Sequence, residues 1–350
     1  MAHTDTVPDS VHLVGSIALD SVAEVFHVCG TTLGRRLKRI PDGEPGGRRL
    51  WISWQYPLLR ASPYLAVSAI PPSVATGFLQ LRIADGVKPD EVRFSELGYA
   101  REARASYLDF IAARDRGDIP SGVRFQVALP TPLAVIGAFC PGPDMLAIER
   151  AYEAAMIREV AAIAEGIPHR DLCLQWDICN EMVMYDGQLP FFTPPSFKDA
   201  GAEIAARLTR LSAAVPADVE LGIHLCYGDW EAKHFVEPKD AAKMVALANL
   251  LIGAIAHPLA WLHLPVPIAR DDDAFFAPLH DLRLAPGTQL YLGLVHADGA
   301  DATRRRIAAA QRYAPTFGIA TECGIARLRT PALVMALLTI HADTSRQPAL

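Results

Sequence analysis

The sequence predicts an α/β protein built as a (β/α)8 barrel, and three observations lead there. Short apolar, β-like runs alternate with longer segments of helical periodicity along the chain. Eight such runs can be counted, near-continuously apolar as expected of parallel strands covered on both faces. The length of 350 residues suits one barrel of this kind, which typically takes about 250 residues and grows with insertions. A doubly wound open sheet is the alternative, but no Gly-x-Gly-x-x-Gly turn follows an early strand.

In chain order the predicted strands are 11–16, 38–43, 124–129, 172–177, 219–226, 260–264, 290–295 and 317–321. Helical spacing predicts helices over 20–37, 146–166, 198–214, 239–256, 301–313 and 330–342, as with Leu146, Ile148, Ala151, Ala155 and Val160 on one stripe. Residues 45–120, between the second and third strands, break the rhythm with Trp51, Trp54, Tyr56 and a proline-rich connection. They are expected to elaborate the barrel, with residues 1–350 forming a single catalytic domain. Residues 244–269 carry no formal charge, long enough for a membrane span, yet His257-Pro258, His263, Pro265 and Pro267 divide them into a helix and a strand.

Composition narrows the class. A chain 51% hydrophobic and 21% charged implies a large core and excludes a disordered protein. The net charge of −6 offers no bulk basic surface for nucleic acid. No secretory signal opens the sequence, so a soluble, cytoplasmic protein is expected, without a membrane partner. Six dispersed cysteines lack the compact spacing of a disulfide scaffold.

In this fold the active site lies where the strands end. His224 and Cys226 stand two apart on the fifth strand, so strand period puts both on one face. The eighth strand ends Thr321-Glu322-Cys323-Gly324, adding a second thiol at the same rim. Two thiolates and an imidazole suit zinc and leave one position open for substrate. A small buried cysteine taken alone is more often plain core, the role expected of Cys29, Cys140, Cys173 and Cys179. Asp42-Gly43-Glu44, Asp177 and His296 close other strands, where a carboxylate serves equally well as a helix cap. His263, on the sixth strand, reads as a core histidine unless the metal is close.

Taken together, these residues resemble the catalytic barrel of cobalamin-independent methionine synthase, a zinc-thiol methyltransferase family. Val14-Gly15-Ser16 is similar to the family's Gly-Ser turn for the amino-acid carboxylate. Asp42-Gly43-Glu44 with Arg48 resembles its Gly-Glu element, and Gln175-Trp176-Asp177 the segment whose aspartate shares the substrate amine. His224-Leu225-Cys226 and Cys323-Gly324 look like the zinc ligands, and His296 falls at the family's proton donor. The resemblance thus implies Zn2+ held by His224, Cys226 and Cys323. It also implies substrate contacts from Gly15, Ser16, Glu44 and Asp177, and catalysis by His296.

Two departures stand out. Where the family has a glutamate as fourth zinc ligand, this chain has His263, which either completes the shell or leaves a water there. Residues 129–136 lack the tryptophan on which the family stacks its folate. The activity implied is therefore transfer of a methyl or alkyl group to a small-molecule thiol, such as homocysteine, from a donor left open. Zinc-dependent C–S bond chemistry without methyl transfer, of the epoxide-opening or lyase type, is the alternative. A non-catalytic zinc protein closed by four protein ligands is a third reading, and a decarboxylase barrel of related shape a fourth.

Overall fold

The computed structural model describes residues 7–73, 77–187, 197–229 and 232–348. Its strands are β1 (Val11–His12), β2 (Arg39–Pro41), β3 (Leu65–Val67), β4 (Leu81–Ile83), β5 (Arg124–Pro130), β6 (Leu172–Ile178), β7 (Glu220–Leu225), β8 (Leu259–Pro265), β9 (Gln289–Val295) and β10 (Gly318–Thr321). All but β3 and β4 join one parallel sheet in the order β1-β10-β9-β8-β7-β6-β5-β2. A parallel bridge from Val11 to Leu37, just ahead of β2, brings the circle near closure. This is the (β/α)8 barrel that the alternation of apolar runs predicts.

Helix α1 (Val22–Leu33) joins β1 to β2. Between β2 and β5 lie α2 (Tyr56–Ala61), the antiparallel hairpin β3–β4 and α3 (Tyr99–Asp115). Then α4 (Pro132–Phe139) and α5 (Met145–Gly166) follow β5, α6 (Asn180–Tyr185) and α7 (Ala200–Ala213) follow β6, and α8 (Ala242–Ala254) follows β7. α9 (Asp273–Phe276), α10 (Ala300–Gln311) and α11 (Pro331–Thr344) complete the ring. The charge-free stretch resolves into α8 and β8, and no helix among the described residues is long and apolar enough to cross a membrane.

Local chemistry sets the helix starts. Ser21 Oγ accepts from the Glu24 amide at the head of α1, and Thr330 Oγ1 from the Leu333 amide at the head of α11. Helix α4 is absent from the predicted helices, in a stretch that opens on Pro130 and Pro132. Pro132 instead occupies the first helical turn, where its missing N–H costs nothing, and Thr131 Oγ1 caps the Ala134 amide at 3.1 Å.

The sheet's alternation separates two kinds of interior. Leu174, Trp176, Leu221, Ile223 and Leu225 are buried in the main hydrophobic core. The opposite parity faces the barrel axis and is largely polar: His12, Arg39, Gln126, Gln175, Trp261 and Tyr291, all buried. Gly222 makes room for this filling, since a Cβ there would lie 1.9 Å from Cε2 of Trp261. On β7 the axial residues therefore run Glu220, Gly222, His224 and then Cys226. They run from an ion pair with Arg39 at one end to the thiol at the other.

Candidate metal centre and substrate cavity

Register assembles the site. Asp177 on β6 pairs with His224 on β7, and His224 pairs with His263 on β8, so the three stand in one row across adjacent strands. Cys226, two residues beyond His224, and Cys323, just past β10, bring their sulfurs to 3.5 Å from each other. The ligand atoms of His224, Cys226 and Cys323 all lie within 4.8 Å of one another, and all three residues are buried. Zinc–sulfur bonds of about 2.3 Å give a tetrahedral edge of roughly 3.8 Å, close to that sulfur separation.

Proton bookkeeping fixes the histidine. The Thr321 carbonyl can only accept, so His263 Nε2–H donates to it at 3.0 Å. A neutral His263 then presents Nδ1 as an acceptor, and His224 Nδ1–H donates to it at 2.7 Å. Burial holds both imidazoles neutral: His224 sits well below the ordinary histidine range, and His263 is lowered to about 3. His224 Nε2 is left as a bare lone pair, buried and without a partner. A metal ligand of the right tautomer has this arrangement, and the donor set of one imidazole and two thiols fits zinc. His263 is spent on this chain; it stands behind His224, outside the group of ligand atoms.

Each sulfur has one electropositive neighbour. The Gly228 amide lies 3.2 Å from Cys226 Sγ, and the Arg327 guanidinium 3.6 Å from Cys323 Sγ. Without a cation the thiols are pushed up, Cys226 first by the adjacent Cys179 thiol and Cys323 first by Cys226. Thr321 Oγ1 also donates to the Cys323 carbonyl at 2.7 Å, so one residue ties down both the His263 ring and the cysteine turn. Gly324 is required there: a Cβ would meet Ser16 Oγ at 2.3 Å, where the turn after β1 crosses the turn after β10.

These groups open onto a cavity of about 210 Å³ whose walls include Gly15, Ser16, Glu44, Asp177, His224, Cys226 and Cys323. Glu44 reaches it from left-handed backbone (φ 51°), a conformation costly for a side-chain-bearing residue and here braced by Asp42 Oδ1 accepting the Glu44 amide at 2.9 Å. Burial raises Glu44 to about 8, helped by the charges of Asp177 and Asp42, and raises Asp177 to about 7. The orientation of Asp177 is fixed from below. Trp261 Nε1–H can only donate, so it sets the Gln175 carbonyl, and the Gln175 amide then donates to Asp177 Oδ1 at 2.9 Å. Two acids raised by burial in one cavity ionise more readily beside an added cation.

His296 does not line the cavity. Its Nε2–H donates to the Val266 carbonyl at 2.9 Å, and its Nδ1 faces the Glu322 carboxyl at 3.9 Å. Burial lowers it to about 4.

Several cavity residues escape the sequence reading. Arg327, buried against the Asp229 carboxylate at 3.4 Å, supplies a cation beside the thiols; its only signal is its place four residues after Cys323. Asp229, Phe235 and Phe78 also line the walls, from connections without strand-end pattern. Cys179, read as core, is on the wall as well.

No protein-family model matches the chain, and no curated protein matches its sequence. Solved structures do share its fold. A Listeria monocytogenes protein carrying a provisional assignment as a vitamin-B12 independent methionine synthase is 13% identical with a TM-score of 0.56, over 98% of this chain and 99% of that one. A B12-independent methionine synthase from Shewanella sp. W3-18-1, solved in complex with selenomethionine, is 13% identical with a TM-score of 0.60, over 97% of both chains. The barrel they share with this protein extends over nearly its whole length.

Proposed function

We propose that this protein is a zinc-dependent enzyme that transfers a methyl or alkyl group to a small-molecule thiol carrying an amine, with homocysteine as the model acceptor. One observation carries the reading: the bare Nε2 of His224 stands with Cys226 and Cys323 in the cavity that also holds Glu44 and Asp177. The shared fold with B12-independent methionine synthases, one of them bound to selenomethionine, supports it.

When bound, zinc supplies acidity to a coordinated thiol and so a thiolate at neutral pH. The chain's own residues do the rest. His224, Cys226 and Cys323 hold the ion, and His263 keeps the His224 lone pair aimed at it. Glu44 and Asp177 ionise against the acceptor's ammonium, and Gly15-Ser16 meets its carboxylate. Placing amine and thiol at two fixed ends of one cavity converts binding into orientation, the larger part of what a transfer between two bound molecules needs. His296 has no part in this scheme, since neither it nor the Glu322 carboxyl it faces is among the described residues lining the cavity.

Zinc-dependent C–S chemistry without methyl transfer keeps one specific support. Ala138 of α4 lines the cavity just beyond residues 129–136, the segment that lacks the folate-stacking tryptophan the resemblance leads one to expect.

The test is metal analysis with acceptor assays. Purified protein is expected to hold one zinc per chain, lost in Cys226→Ala and Cys323→Ala together with methionine formation from homocysteine and a methyl donor. Metal-free protein, with both variants fully active, would sink the proposal.

A further inference from the structure

Removing His263 from the metal's ligand set leaves the fourth position to be explained, and the β6–β7 ladder brings a third sulfur to it. Asp177 pairs with His224 and Ile178 with Leu225, so the next step sets Cys179 beside Cys226. The Cys226 amide donates to the Ile178 carbonyl at 3.0 Å, which holds the two turns together beyond the last pair. By strand parity Cys179 continues the axial face of Cys173, Gln175 and Asp177, as Cys226 continues that of His224. The outcome is one packed group of Cys179, Cys226 and Cys323, with Trp51 and Phe235 against it, on the wall of the cavity. All three thiols are free.

Resting on the zinc reading above, we propose that Cys179 is the fourth protein ligand of the resting metal site and yields its place to the incoming thiol. A Cys3His set is a common closed zinc shell. Cys179 lies outside the 4.8 Å envelope that encloses the other three ligand atoms, so ligation requires its side chain to turn. A change of χ1 well moves a cysteine sulfur by roughly 3 Å. The charge also balances. Three thiolates, a neutral imidazole and a dication sum to −1, next to the buried Arg327 guanidinium, which also interacts with Asp229.

The exchange is self-contained. The zinc–sulfur bond to Cys179 breaks and one to the acceptor sulfur forms. The acceptor's S–H proton passes to the departing Cys179 thiolate, which becomes a thiol. No outside base is needed, and the charge of the buried site stays the same throughout, avoiding the cost of desolvating an added anion. The resting enzyme is thereby closed by four protein ligands while remaining open to a thiol.

X-ray absorption at the zinc edge separates the outcomes. The wild-type protein is expected to show three sulfurs and one nitrogen, and both Cys179→Ser and Cys179→Ala two sulfurs. Calorimetry with 2-mercaptoethanol, which has no amine to engage Glu44 and Asp177, adds a proton count from buffers of different ionisation enthalpy. Wild type is expected to release no proton on binding, and Cys179→Ala about one. Two sulfurs in the wild type, or three in both variants, overturn the role of Cys179 while leaving zinc at His224, Cys226 and Cys323 intact. Wild-type protein without zinc overturns both readings.

Discussion

The two ends of the barrel are built from the same kinds of side chain and treat them differently. At the N-terminal end Arg39 is fully engaged. It donates to Glu220 at 2.8 Å and Gln289 at 3.0 Å, and its guanidinium lies over the Trp261 ring at 4.2 Å; Arg124 meets the same Glu220 at 3.0 Å. At the C-terminal end His224 Nε2 and Asp229 Oδ1 are buried without a partner, and Glu44 and Asp177 are acids raised by burial. Pairing that is complete serves stability. Pairing left incomplete in a cavity is capacity held for a ligand.

Breaking the paired end is expected to have the largest effect. Arg39→Ala leaves Glu220 with Arg124 alone, takes a donor from Gln289 and uncovers Trp261, and should lower unfolding free energy by about 2 kcal/mol in denaturant titrations. Zinc stoichiometry should stay at the wild-type value, because no ligand touches Arg39. Equal loss of metal would mean that the two ends are not separable.

Removing the acceptor behind the metal histidine comes next. His263→Leu leaves the His224 Nδ1–H facing a hydrocarbon and frees the ring to adopt the wrong tautomer. Zinc affinity in chelator competition should fall about 10- to 100-fold, with partial recovery in His263→Gln, whose carbonyl can accept the same proton. If His263→Leu binds zinc as tightly as wild type, the hydrogen-bonded chain has no part in ligation.

A smaller effect belongs to the acid wall. Asp177→Asn should weaken homocysteine binding about 10-fold, within the range for a charged hydrogen bond, and leave 2-mercaptoethanol binding unchanged, since that thiol lacks an amine. Homocysteine affinity of the wild type should also rise with pH from 6 to 8. Glu44 and Asp177, at about 8 and 7 in the empty cavity, then no longer need to lose protons to meet the ammonium. A flat profile would separate the carboxylates from the amine.

The smallest is a stability change of opposite sign. A carboxyl whose folded pKa is raised binds more protons folded than unfolded, so it subtracts stability as pH rises from its unfolded value toward the folded one. Glu44→Gln should therefore raise the melting temperature by about 2–4 °C at pH 8 and by nearly nothing at pH 4. An increase of the same size at both values would point to packing instead of charge.

The same contrast explains what could be read from sequence. His224, Cys226, Cys323 and Asp177 are legible because strands impose a period of two and the fold places their ends together. Ser16 stands on a turn and is reached only through the family resemblance, while Glu44 closes a predicted strand where a carboxylate could equally cap a helix. The distinction between His263 as ligand and His263 as support depends on where two protons sit, which no spacing records. Cys179 has the same parity as Asp177 and was passed over because a cysteine after an apolar strand looks like core. Arg327 and Phe235 come from irregular backbone, and only the folded chain brings them to the cavity. The axial filling by Arg39, His12 and Trp261 is likewise invisible in strands that read as apolar throughout, since their outward faces supply the hydrophobic signal.

Thr321 accepts the His263 proton through its carbonyl and holds the Cys323 turn through its hydroxyl. His224 and Cys323, the proposed ligands, are thus yoked to one residue, although they belong to strands separated by two others in the sheet. Their spacing is governed by a few short links more than by the circumference of an eight-stranded wall. In mechanical terms the site is clamped locally and rides on the barrel as a unit.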